Sequence, residues 1–234
     1  AAASARRFAA EGATVAIISR TASSCEALAA EITASGGRAH AFGADLIDVP
    51  SATQAVEAAI AALGRVDGLF NVAGGSGRRM GDGPLHELTT EAYEATMRLN
   101  ATTHVTVSAP VLRAMLAQDP DADGSRGAIV NMGSVLATQP VPELFGTHAY
   151  ATSKSASIGL TQSLAAYYAK DDIRFNLLAP ALVASPMSQR AAGDEKIQAY
   201  IKTKQPLDGG RIGDPSDCDG AAVFFMSDQS KFTT

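Results

Sequence analysis

The chain has 234 residues, 46% of them hydrophobic and 18% charged, which fits one globular domain of ordinary size with a substantial core. Its net charge of −5, with the basic residues scattered, excludes the concentrated positive surface of a nucleic-acid binder. No apolar run approaches the roughly 18 residues of a membrane span, and the two cysteines and four histidines show no metal-ligand spacing, so neither a membrane anchor nor a metal is expected.

Cys25 and Cys218 fall in separate helical segments and fit reduced thiols in a cytoplasmic protein. In chain order, Ala2 to Glu11 reads as a helix closed by Gly12, and Thr14 to Ser19 as a buried β-branched strand ending at Arg20. Ser23 to Ser35 reads as a helix stopped by Gly36-Gly37, and Arg38 to Ala44 as a short strand reaching Asp45. Ser51 to Leu63 is an amphipathic helix with Pro50 near its start, and Asp67 to Val72 is the next strand. Strands alternating with helices require right-handed crossovers, hence an α/β fold: a doubly wound parallel sheet with helices on both faces.

Gly74 to Pro84, with glycines at 74, 75, 77, 81 and 83, reads as a flexible loop. No Gly-Lys-Ser/Thr follows, so it is not a phosphate loop. A long helix from Thr90 to Gln118 carries Asn100, and Asp119 to Gly127 reads as a solvated acidic turn. Ala128 to Ser134 is a buried strand that delivers a serine at its carboxyl end. The loop Leu136 to His148 leads to a helix over Ala149 to Lys170, and Arg174 to Ala179 is a strand ending at Pro180. Ser185 to Pro215 is mixed and reads as a lid over the sheet edge within the same single domain, and Ser216 to Ser227 is a final helix.

Tyr150 and Lys154 lie four apart, so on a helix their phenol and ammonium share one face, one turn apart. A free tyrosine titrates near pH ~10, and a nearby cation favours the phenolate. Ser134 ends its strand at the edge where open parallel sheets place ligands, and can donate to a substrate carbonyl. The Tyr-Lys pair alone is a common accident of a solvated helix face, and its weight comes from the residues around it.

Those residues form an ordered set: Asp45 after a strand, Asn71-Val72-Ala73-Gly74 after the next, Asn100 in a helix, Ser134, Tyr150 with Lys154, then Asn176 through Pro180 leading to Ser185. Over nearly its whole length the chain resembles the short-chain dehydrogenase/reductase family, of the compact single-domain type. The resemblance implies a Rossmann-like fold and hydride transfer between a nicotinamide cofactor and a small-molecule carbonyl or alcohol. Ser134 would polarise the carbonyl and Tyr150 would donate the proton. Lys154 would hold the cofactor ribose and lower the Tyr150 pKa. Asn100 would kink its helix through a bound water and link Lys154 to solvent.

The resemblance also implies that Asp45 and Leu46 sit beside the adenine, and that the Asn71, Ala73 and Gly74 backbone lines the adenosine side. Pro180, Val183 and Ser185 would hold the nicotinamide carboxamide. The chain departs from the family's pattern in having Val72 for a second Asn, Ala181 for Gly and Ser185 for Thr. The second strand of such a fold reads the adenosine ribose, and here it ends Ser19-Arg20-Thr21, without the acid that binds the 2′-hydroxyl of NAD. Arg20 suits the 2′-phosphate of NADP, which is favoured, with NAD as the alternative.

The family's glycine-rich turn would end at about Ala1, and its last strand would follow Lys231 to Thr234, so the first and last strands are expected to be missing and the sequence truncated at both ends. The expected activity is that of a 3-oxoacyl-thioester reductase. The alternatives are an NAD-dependent secondary-alcohol, sugar or polyol dehydrogenase and, ranked lower, a catalytically silent binding protein. The expected partners are copies of itself in a homotetramer.

Overall fold

The computed structural model describes residues 1–234. The first half runs α1 (Ala2–Ala10), β1 (Thr14–Ser19), α2 (Ala22–Ala34), β2 (Arg38–Gly43), α3 (Val49–Leu63), β3 (Gly68–Asn71). The second half runs α4 (Thr90–Met97), α5 (Thr103–Ala117), β4 (Gly127–Met132), α6 (Pro142–Phe145), α7 (His148–Tyr168), β5 (Ile173–Leu178), α8 (Gln189–Ala192), α9 (Glu195–Lys204) and α10 (Asp219–Met226). Capping explains several of these boundaries. The Asp48 carboxylate accepts from the Ser51 amide with Pro50 in the first turn, and Gly64 closes α3 at φ 74°, where a side chain would be strained. No helix is long and apolar enough to cross a membrane.

All strand pairs are parallel. Thr14 lies opposite Arg38, Gly68 opposite Ala128, and Gly127 opposite Ile173. The pairs form two sheets, one of β1-β2 and one in the order β3-β4-β5.

Helices cover both faces. The main core gathers Val56 of α3, Val107, Val111, Leu112 and Met115 of α5, and Ile129, Ile173 and Phe175 of β4 and β5, with Leu164 and Tyr168 of α7 against it. A second cluster joins Ala5, Ala9 and Ile32 of α1 and α2 to Val15 and Ile17. Ile18 packs in the first cluster and Ile17 in the second, as alternation along a strand demands. Gly127 through Asn131 are buried, the continuous burial of a parallel strand covered on both sides.

The expected unbroken helix over 90–118 is instead α4 and α5 joined by a π-helical stretch, Arg98–Thr102, centred on Asn100. Asn100 Nδ2 donates to the Thr96 carbonyl at 3.0 Å and Thr103 Oγ1 to the Leu99 carbonyl at 3.0 Å, so side chains compete for the ladder's acceptors there. The loop after Leu136 also holds more structure than expected, including α6.

The segment after β5 is closed at its base. Ala184 N donates to Gly213 O at 2.7 Å, and Gln205 bonds Leu182 through both its amide oxygen and nitrogen. Its own apolar cluster, Ala191, Ile197 and Ile201, packs against Leu144 and Phe145 of α6.

Candidate active site

The carboxyl end of β4 is tied to that of β5. Gly133 N donates to Leu178 O at 2.7 Å and Val135 N to Pro180 O at 3.2 Å. A Cβ on Gly133 would come within 2.5 Å of Leu177 Cδ2, so the close approach needs glycine. This turn presents Ser134, whose Oγ accepts from the Leu136 amide at 3.2 Å.

Helix α7 crosses the same edge with Ala149, Tyr150, Ser153, Lys154, Ser157 and Thr161 buried, a stripe of helical spacing. Lys154 Nζ lies 5.8 Å from the Tyr150 ring centroid and donates to the Met132 carbonyl at 2.7 Å. Lysine, tyrosine and serine are thus gathered on the last residues of one strand. Lys154 is 3% exposed and has no ion-pair partner. Burial pulls its pKa down to about 8.

Tyr150 departs from expectation. Burial pushes its phenol above the ordinary tyrosine value, and hydrogen bonding from Ser134 pulls it part of the way back. The expected lowering by Lys154 is not found, because removing the phenolate from water outweighs the help of its neighbours.

Asn100 is fully buried and grips the loop after β3. Its Nδ2 donates to Gly75 O at 2.9 Å, and its Oδ1 accepts from Gly75 N at 3.0 Å. The kink is therefore present as a π-helical turn, and the side chain is engaged with the Gly75 backbone. A Cβ on Gly74 would sit 2.6 Å from Asn100 Oδ1 and 3.6 Å from Lys154 Nζ, so the loop, Asn100 and Lys154 meet at one point.

The other anticipated residues are spread along the same edge. Ser19 Oγ lies 3.0 Å from Cys25 Sγ, while Arg20 and Thr21 are exposed beyond β1. Asp45 accepts from the Ile47 amide at 3.1 Å, and Leu46 packs on the main core. Asn71 is bound inward to Ser108 and Asn131, leaving Ala73 and Gly74 exposed. Pro180 takes the Val135 amide, Val183 bridges to Gly213, and Ser185 caps the short turn Pro186–Ser188. Two surface hollows of about 370 Å³ lie elsewhere, between α1 and α2 and along the outer edge of β5.

Two residues near the cluster escaped the sequence reading. His104 is buried beside Ser157, its Nδ1 3.3 Å from the hydroxyl, and burial with the Lys154 charge pulls it down to about 4. Asp82 caps α7 from the glycine-rich loop, and nothing local in the sequence ties it to a helix start 67 positions on.

The cluster fits a nicotinamide dinucleotide. An ammonium has three donors, and the buried Lys154 engages one backbone carbonyl within the protein, beside a cradle at Gly74 too tight for a Cβ.

A family model described as Enoyl-(Acyl carrier protein) reductase matches residues 1–234. The chain is 36% identical over 227 residues to an inactive 2-(S)-hydroxypropyl-CoM dehydrogenase 2 of Xanthobacter autotrophicus, covering 95% of this chain and 91% of the relative. It is 32% identical to the D-threitol dehydrogenase of Mycolicibacterium smegmatis, covering 97% of this chain and 81% of that protein. The crystal structure of a gluconate 5-dehydrogenase from Burkholderia cenocepacia, in complex with NADP and tartrate, superposes with a TM-score of 0.87 at 27% identity, over 99% of this chain and 85% of the other. Together with the strand order and the Ser134, Tyr150 and Lys154 cluster, these matches place the chain in the short-chain dehydrogenase/reductase family of NAD(P)-dependent oxidoreductases.

Proposed function

We propose that the chain interconverts a carbonyl and a secondary alcohol, with Ser134, Tyr150, Lys154 and Asn100 as its working residues. The observation that carries this is the convergence of Tyr150 and Lys154 on the end of the strand that delivers Ser134. A bound nicotinamide dinucleotide supplies or accepts the hydride. Ser134 holds and polarises the carbonyl oxygen. The phenol of Tyr150, kept protonated by burial, gives its proton to that oxygen in the reducing direction and takes it back in the other. Lys154 has two donors left for ribose hydroxyls, and its charge offsets the phenolate that follows proton transfer. Asn100 fixes the loop that backs the ribose site.

NADP is the preferred cofactor in this reading. Arg20, exposed at the end of β1 with no acid beside it, receives the 2′-phosphate. Ser19, Thr21, Asp45, Leu46, Asn71, Ala73 and Gly74 flank the adenosine side, and Pro180, Val183 and Ser185 the nicotinamide side. Residues 185–215 act as the lid of a single unit, and a cytoplasmic homotetramer places the outer faces of α5 and α7, where Val105 and Tyr167 are exposed, against neighbours.

A 3-oxoacyl thioester is one substrate class for this chemistry. The names of the relatives favour a second, a small secondary alcohol or polyol. One relative's name calls it inactive, whereas this chain holds the serine, tyrosine and lysine together. The test is a panel of 3-oxoacyl thioesters, ketones and polyols with NADPH and NADH, followed by nicotinamide absorbance. Tyr150→Phe should abolish turnover yet still quench or enhance NADPH fluorescence on binding. A Tyr150→Phe variant that keeps its activity overturns the assignment.

A further inference from the structure

The 21-residue helix that carries Tyr150 has no cap of its own. Thr147, the residue before it, makes no side-chain bond to the first turn, although helix-opening amides need acceptors. Those acceptors come from 67 residues upstream. Asp82 Oδ1 accepts from Ala149 N at 3.0 Å, and Asp82 Oδ2 accepts from Tyr150 N at 2.8 Å. Asp82 is 5% exposed and has no ion-pair partner, so both oxygens are committed to these two amides. A carboxylate there also faces the positive end of the helix dipole.

The loop that holds Asp82 is shaped for the purpose. Gly77 at φ 74° and Gly81 at φ 99° flank a single 3₁₀ turn, Arg78–Met80. Met80 N and Asp82 N both donate to Gly77 O, at 2.8 and 3.1 Å. A Cβ on Gly77 would come within 2.5 Å of Thr96 Oγ1 and 2.9 Å of Asp82 Cβ. Upstream, Asn100 clamps Gly75 from both its amide atoms. What reads in sequence as a flexible loop is a strut pinned at Gly75 and at the start of α7.

We propose that Asp82 is a positioning residue for Tyr150, setting the phenol opposite Ser134 by gripping the tyrosine's own amide; this rests on the catalytic reading above. A displacement of about 1 Å at a reacting group costs on the order of a hundredfold in rate, so a two-point grip on the tyrosine backbone has kinetic consequences. Asp82→Ala removes both acceptors. Asp82→Asn keeps one and turns an N–H₂ toward the other amide, so it should fall between wild type and alanine.

The test compares wild type, Asp82→Ala, Asp82→Asn and Thr89→Ala, the last removing a cap from the neighbouring helix α4 and none of the bonds made by Asp82. Expected are a kcat lowered about tenfold to a hundredfold in Asp82→Ala, with KM for NADPH changed less than about threefold, and partial recovery in Asp82→Asn. Thr89→Ala should keep the wild-type kcat. Amide hydrogen exchange over residues 146–152 should quicken in Asp82→Ala without any cofactor present. Wild-type kcat in Asp82→Ala, or in Asp82→Asn should alanine not fold, overturns the positioning role while leaving the catalytic reading intact. So does a kcat loss in Thr89→Ala that matches Asp82→Ala. A wild-type chain that turns over no substrate, or an active Tyr150→Phe, removes the catalytic reading and this role with it.

Discussion

The carboxyl edge of the three-stranded sheet and that of the two-stranded sheet are built to different standards. At the first, Asn100, Ser134 and Lys154 are at most 8% exposed, and each is held by bonds to main-chain groups from another segment or to the turn it begins. At the second, Arg20 and Thr21 stand in solvent, and Asp45 is held by a turn bond to a residue two positions on. The proposed proton transfer needs atoms placed to a fraction of an ångström, which suits residues that are buried and multiply fixed. The proposed recognition of a 2′-phosphate by Arg20 needs charge and reach, which an exposed arginine supplies without a scaffold.

Several substitutions would break or sharpen this contrast. The largest effect is expected at the buried edge, where Tyr150→Phe removes the proposed acid and should lower kcat by about 10²–10⁴-fold in a steady-state assay. Phe175→Ala empties the fully buried heart of β5, directly beneath that edge, and should cost about 3–5 kcal/mol in denaturant melts. Ile17→Ala, at a half-buried position of β1, should cost less. Gly74→Ala forces a Cβ to 2.6 Å from Asn100 Oδ1, and should lower stability by about 1–3 kcal/mol while raising KM for the cofactor.

Lys154 makes a subtler prediction. Its folded pKa of about 8 lies below the unfolded value of 10.5, so between those values the unfolded chain binds more protons and stability rises with pH. Below about pH 8 the buried cation costs the fold its full penalty. Lys154→Met should therefore be inactive yet about 1 kcal/mol or more stabler at neutral pH, with the stability gain on raising the pH from 8 to 10.5 abolished. A less stable Lys154→Met would show that the bond to Met132 outweighs desolvation. The smallest effect belongs to the open edge: Arg20→Ala should raise KM for NADPH about tenfold, leave NADH unchanged, and alter stability by less than about 0.5 kcal/mol.

What could be read in the sequence follows the same division. Strand and helix alternation, the serine at a strand end, and a tyrosine and lysine one turn apart are local patterns, and each stands where expected. Features set by distant partners were not legible. The kink at Asn100 is implied by the resemblance alone; nothing in the residues around it signals a π-helical turn, because Gly75 supplies the bonds that draw its side chain out of the ladder. The direction of the Tyr150 shift depends on how much water the packed helices exclude, which spacing does not encode. Asp82 lay hidden in a run of glycines because its partners follow 67 positions later.

The acceptor that holds the Lys154 ammonium is a peptide oxygen, at the final residue of β4. Mutation of the Met132 side chain can therefore vary its bulk and polarity without deleting the tether. A change in strand alignment could unseat it: slipping β4 by one residue against β5 would put a neighbouring residue's carbonyl there, pointing within the sheet toward the strand on the other side, and the cation would lose its mooring although every side chain remained.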